Sequence, residues 1–244
     1  MKYRIVEKLK AKNNDYYNEK APVIVFLGDS VTQGCFDVYP VTENEVETVF
    51  EQGNSYSQLM KNALNILYPK ANTVIVNSGV SGGNAKNGVE RFQRDVLSYN
   101  PDLLVICFGL NDSTAGEEGI NTYQKSLESL FLKAKEKEID CIFMTPNMMC
   151  TYLSGKIRDS VTVKIGELIQ STQNSGMLDR YIAAAKKTAE ECGVGICDVY
   201  GKWKRLAACG VDTTDLLSNH LNHPVKEMHN LFAYALLEEI FREV

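Results

Sequence analysis

The chain has 244 residues, 44% of them hydrophobic and 23% charged, with a formal net charge of −5. That is the composition of one globular domain, residues 1–244, and without a Lys/Arg-rich block it gives no reason to expect nucleic acid as a partner. No apolar run approaches the roughly 18 residues of a membrane span, so no membrane partner is expected either.

Residues 1–20 are polar and charged and read as a lead-in segment along the surface. They lack the apolar core of a signal peptide, and with free thiols elsewhere this predicts a cytoplasmic protein. The run Val23-Ile24-Val25-Phe26-Leu27 then reads as a strand buried on both faces, ending in Gly28-Asp29-Ser30. Residues 35–53 hold Asp37, Glu43, Glu45, Glu47 and Glu51 with no Lys or Arg. They read as a solvated acidic loop, or as an acidic rim over a site.

A helix capped at Asn54-Ser55 runs to about Tyr68, stopped by Pro69. Thr73 to Asn77 is the second strand, and it breaks into the glycine-rich turn Ser78-Gly79-Val80-Ser81-Gly82-Gly83. A helix follows from about Asn84 to Ser98. Leu103 to Phe108 is the most apolar strand and so the expected centre of the sheet; it ends in Gly109-Leu110-Asn111-Asp112. An amphipathic helix over 121–138, a strand over 141–145, a helix over 177–192, a strand over 194–199, a short helix near 203–209 and a last helix over 225–239 complete the pattern. Residues 147–176 have no clear periodicity; Met148, Met149, Tyr152 and Leu153 there line a pocket or cover the sheet. Strands alternating with helices predict an α/β fold, a three-layer α/β/α sandwich around a five-stranded parallel sheet.

If that sheet is parallel, three strand-end turns meet at its carboxyl edge, where such sheets place their ligands. They carry Ser30, Gly82 and Asn111, and Asn222-His223-Pro224 stands just before the last helix, able to fold back over the same edge. A serine hydroxyl with a histidine base, and a glycine N–H and an asparagine amide as oxyanion donors, are the parts that acyl transfer needs. Seven cysteines contain no Cys-x-x-Cys pair and do not interleave with the three histidines, so neither a metal nor another cofactor is expected.

These four blocks, in this order, resemble the SGNH (GDSL) hydrolase superfamily: Gly28-Asp29-Ser30, Asn77 through Gly82, Gly109-x-Asn111-Asp112 and His223-Pro224. The resemblance spans the chain from Val23 to the last helix. It implies a flavodoxin-like sandwich and a metal-independent esterase. Ser30 would be the nucleophile and His223 its base, with an oxyanion hole of Ser30 N–H, Gly82 N–H and the Asn111 amide. Expected substrates are small-molecule esters, first an acylated (acetylated) sugar and second a lipid or acyl thioester, with short acyl chains favoured.

One position departs from the pattern. Three residues before the histidine, where the family carries an acid, stands His220. Three outcomes follow: a Ser–His dyad with His223 oriented by a backbone carbonyl, an acid supplied by Asp215 or Asp212, or a weak or inactive carbohydrate-binding relative. His220 and His229 themselves read as surface or helix residues. Ser81, in Gly79-Val80-Ser81-Gly82-Gly83, is the rival nucleophile by the Gly-x-Ser-x-Gly elbow pattern, but only one strand precedes it and no His-Gly-Gly oxyanion loop is present.

Overall fold

The computed structural model describes residues 3–42 and 45–242. In chain order the helices and strands are α1 (Arg4–Asn14), β1 (Val23–Gly28), α2 (Ser30–Gln33), β2 (Cys35–Pro40), β3 (Val46–Phe50), α3 (Tyr56–Leu67), β4 (Val74–Gly79), α4 (Ala85–Asp95) and β5 (Leu103–Cys107). They continue with α5 (Leu110–Ser113), α6 (Gly116–Glu136), β6 (Asp140–Met144), α7 (Ser160–Asn174), α8 (Met177–Cys192), β7 (Gly195–Cys197), α9 (Val199–Ala208) and α10 (His229–Ile240).

The main sheet has five strands in the order β4-β1-β5-β6-β7, all parallel, and the most apolar strand, β5, is its centre. Side chains alternate between its faces. Ile24 and Phe26 pack with α1, α3 and α10, through Leu9, Met60 and Leu236 among others. Val25 and Leu27 pack on the other face with α4, α6 and α8, through Phe92, Leu130 and Ala185. Two cores on one sheet make the three-layer sandwich.

The structure corrects the sequence reading in two places and supplies a helix in a third that had no reading. Residues 4–14 are not a surface lead-in but helix α1, with Ile5, Val6 and Leu9 fully buried. Residues 35–40 and 46–50 are not an acidic loop but two antiparallel strands, β2 and β3, paired with each other. In their register Val38 faces Thr48 and Pro40 faces Val46, while Asp37 pairs with Val49 and Tyr39 with Glu47. Period two therefore puts the acids Asp37 and Glu47 on the face opposite Val38, Val46 and Thr48. Glu43, part of the acidic reading, lies outside the described residues. Within residues 147–176, α7 starts at a side-chain cap, Asp159 accepting from Thr162 N–H at 2.8 Å.

Close backbone approach at the ends of β1 and β4 positions the turn that follows. A Cβ on Gly79 would lie 2.2 Å from the Gln33 backbone nitrogen and 2.7 Å from its Cα, on α2. No side-chain rotation relieves a clash with backbone. Gly79→Ala is expected to cost about 1–3 kcal/mol, as overpacking does, read as a lowered urea midpoint with an unchanged slope; an unshifted midpoint would contradict this packing.

Candidate active site

The turn after β1 is built by Asp29, the N-cap of α2, whose Oδ1 accepts the Val31 N–H at 3.0 Å. Ser30 is therefore the first helical residue, at the carboxyl edge of β1. The loop before α10 returns over that edge, and His223 Nε2 lies 2.9 Å from Ser30 Oγ. Both side chains are buried, at 4% exposure each.

The turn after β4 brings Gly82 to the same cavity. Its φ of +73° is the left-handed region that favours glycine, and nothing lies within 4 Å of a Cβ there, so conformation and not space selects it. Ser81 also lines the cavity, with its N–H bonded to Gln33 Oε1 at 2.7 Å; the histidine contact goes to Ser30 instead. From the turn after β5, Asn111 faces the cavity and donates one Nδ2 hydrogen to Gly83 O at 2.8 Å. An amide carries two hydrogens, so the second remains for a ligand. All four sequence-predicted residues, Ser30, Gly82, Asn111 and His223, thus line one cavity of about 310 Å³.

The walls of that cavity come from the two segments without a clear sequence reading. The hairpin contributes Val38, Val46 and Thr48, and the 147–176 stretch contributes Met149, Ile165 and Ile169. The hairpin wall of the site is mainly apolar, and Asp37 and Glu47 lie on its other face. Tyr152 is not a wall residue; its OH donates to Asp212 Oδ2 at 2.7 Å.

Neither proposed acid meets His223 among the described residues. Asp212 is held by Tyr152 and by the Thr214 N–H, and Asp215 lies 58% exposed, 4.0 Å from His220 Nδ1 and 3.8 Å from Lys156 Nζ. What stands beside His223 Nδ1 is Asn219, with Nδ2 at 3.1 Å. Sequence reasoning passed over Asn219. Its signal was the asparagine of an Asx-type turn four residues before the histidine. Of the two readings of His229, surface or helix, the structure gives the helix: it opens α10 fully buried, accepts the Tyr56 N–H at Nδ1 (3.1 Å), and packs against Phe36, Tyr56 and Phe232.

Burial drives four titratable groups at this edge, Asp29, Asp112, His223 and His229, toward their neutral forms. Desolvation pushes Asp29 up to about 7, with the nearby Asp112 charge adding to it, and pushes Asp112 up to about 6. The same cause pulls His223 down to about 4, and His229 down to about 3 with the His223 charge assisting. A lowered histidine value means that the neutral ring persists as pH falls through the ordinary 6.5. In an NMR titration His223 should remain neutral at pH 5 and take up its proton near pH 4; a midpoint near 6.5 would contradict the burial.

The chain matches the GDSL-like lipase/acylhydrolase family over residues 26–231. It is 25% identical over 232 residues to an acetylxylan esterase of Geobacillus stearothermophilus, across 89% of this chain and 93% of that one. Among solved structures, a catalytic mutant of an acetylxylan esterase from that organism superposes with a TM-score of 0.68 at 23% identity, covering 91% of this chain and 95% of the other. A two-domain esterase active on acetylated mannans superposes at 0.67 with 16% identity, over 99% of this chain and 53% of that one. These two structures share its fold.

Proposed function

The chain belongs to the GDSL-like lipase/acylhydrolase family and is a carboxylic ester hydrolase; on that premise we propose that Ser30 and His223 carry the hydrolysis. The observation that supports this most directly is the 2.9 Å contact between His223 Nε2 and Ser30 Oγ, on the floor of a cavity that also presents Gly82 and Asn111.

Ser30 Oγ attacks the ester carbonyl carbon while its proton passes to His223 Nε2. The oxyanion accepts hydrogen bonds from the Ser30 and Gly82 N–H groups and from the second Asn111 Nδ2 hydrogen, donors fixed in place before the charge develops. The His223 imidazolium then returns the proton to the departing alkoxide, leaving an acyl ester on Ser30. A water molecule, deprotonated by His223, attacks that ester, and collapse of the second tetrahedral intermediate releases the acid and restores Ser30.

For the substrate, the first reading is a short O-acyl group on a carbohydrate, favoured by the acetylxylan and acetylated-mannan relatives. The cavity favours a second reading of the acyl group. Its volume of about 310 Å³ is some ten times the roughly 30 Å³ share of one water, and Val38, Val46, Met149, Ile165, Ile169 and Leu221 wall it with hydrocarbon. An acetyl methyl fills little of that space, whereas a longer apolar acid would bury itself there at about 0.8 kcal/mol per methylene.

Ser30→Ala and His223→Ala are each expected to lower kcat on p-nitrophenyl acetate by at least about 10³-fold, with Ser81→Ala within a few-fold of wild type; retained turnover in Ser30→Ala would sink the mechanism. On p-nitrophenyl esters of two to eight carbons and on acetylated xylo-oligosaccharide in parallel, kcat/KM that rises beyond two carbons supports the apolar acid. A maximum at acetate together with turnover of the oligosaccharide supports the acetylated sugar.

A further inference from the structure

The acid position of the site holds an amide whose orientation is fixed. Asn219 Oδ1 accepts the backbone N–H groups of Leu221, Asn222 and His223, each at 3.0 Å. Reversing the amide would set its NH₂ against those three donors, so the oxygen is assigned by the network. Nδ2 therefore points at Asn222 Oδ1 (3.0 Å) and at His223 Nδ1 (3.1 Å). An amide nitrogen donates and does not accept. His223 Nδ1 must then offer its lone pair, and the single proton of the neutral ring sits on Nε2, facing Ser30 Oγ.

That is the opposite of what a general base requires. To take the Ser30 proton, Nε2 must present a lone pair and Nδ1 must carry the hydrogen. In that tautomer, and in the imidazolium formed during attack, Nδ1–H would face the hydrogens of Asn219 Nδ2. His229 on α10 interacts electrostatically with the His223 ring; His220, Asp212 and Asp215 precede it in the chain, and Asp29 caps α2 next to Ser30. None of them hydrogen-bonds His223 among the described residues.

We infer that Asn219 is a positioning residue that holds His223 in the Nε2–H tautomer and thereby restrains acyl transfer at Ser30. This rests on the assignment of His223 as the base. The restraint is local to one atom. A carboxylate at position 219 has nearly the same shape; one oxygen would keep the three backbone donors, and the other would accept from Nδ1–H. Asn222 could then reverse its own amide to donate to that oxygen. The chain is thus one substitution from a Ser-His-Asp arrangement. Where that arrangement is native, exchanging its Asp for Asn lowers kcat about 10⁴-fold through the wrong tautomer, which sets the upper scale of the gain here.

The test is Asn219→Asp, assayed on p-nitrophenyl acetate across pH 3.5–9 beside wild type and Ser30→Ala, with urea midpoints for all three. Expected is a rise in kcat of tenfold or more, with the acidic limb of the kcat profile moving up from near pH 4, because the new carboxylate stabilises the imidazolium. A merely structural role would leave that limb in place. Nitrogen NMR shifts of His223 give an independent reading: wild type alone should show Nε2–H, and Asn219→Asp should change it to Nδ1–H. A folded Asn219→Asp with unchanged or lower kcat, or a wild-type ring protonated on Nδ1, overturns the inference. Full activity in Ser30→Ala overturns instead the mechanism on which it rests, while the wild-type tautomer still decides the role of Asn219.

Discussion

The site depends on the parallel register of β1 between β4 and β5. Gly28 aligns with Gly79 on one side and with Cys107 on the other, so three strands stop at one level and their turns open onto one edge. A nearly buried guanidinium donates to the last carbonyl of β1, which also accepts the Val80 N–H at 3.1 Å, and to the penultimate carbonyl of β4. Arg91 of α4 donates from Nη2 to Gly28 O at 2.7 Å and from Nη1 to Ser78 O at 2.6 Å, with Asp95 as its counter-ion at 3.0 Å. Buried charge-assisted bonds of this kind are stronger than neutral ones. Arg91 therefore ties the stopping point of β1 to that of β4, and with it the separation of Ser30 from Gly82.

Chemistry at that edge takes place in a poorly solvated place, and the titratable groups beneath it have responded alike. Asp29 and Asp112 are raised and His223 and His229 are lowered, all chiefly by burial. Each shift opposes the charged form: the two histidines stay neutral well below the ordinary 6.5, and the two carboxyls hold their protons to higher pH than exposed ones do. Low polarity also strengthens each remaining hydrogen bond. The Ser30–His223 contact gains from this at rest. The imidazolium that the proposed mechanism requires loses by it, since no described carboxylate is bonded to His223. A buried base without an acid is well held and poorly supported in its charged form.

Much of this was legible in the sequence for a simple reason. β1, β4 and β5 are continuous apolar runs that end in glycine, and a parallel sheet forces such ends onto one edge. Ser30, Gly82, Asn111 and His223 could therefore be placed together without knowing any side-chain geometry. The hairpin was misread because its charges were counted and its period was not. Asp37 and Glu47 alternate with Val38, Val46 and Thr48, and only the pairing of β2 with β3 tells which set turns inward. In α1 the buried stripe is just Ile5, Val6 and Leu9 among many lysines, too narrow to distinguish from a solvated segment before the sheet is there to receive it.

Asn219 shows a different limit. The expected acid position counts three residues back from His223 and finds His220, which has φ of +54°, a left-handed conformation uncommon for a residue with a side chain. That single backbone angle turns the chain so that the residue four back, not three, meets Nδ1. Counting along the sequence assumes a loop geometry, and here the loop has another. The geometry is held by the same atom that fixes the amide: Asn219 Oδ1, bonded to three successive backbone N–H groups, closes the turn from Leu221 to His223. The fold of the loop and the tautomer of the histidine are consequently one constraint. Removing the oxygen would release both, and replacing only the nitrogen would separate them.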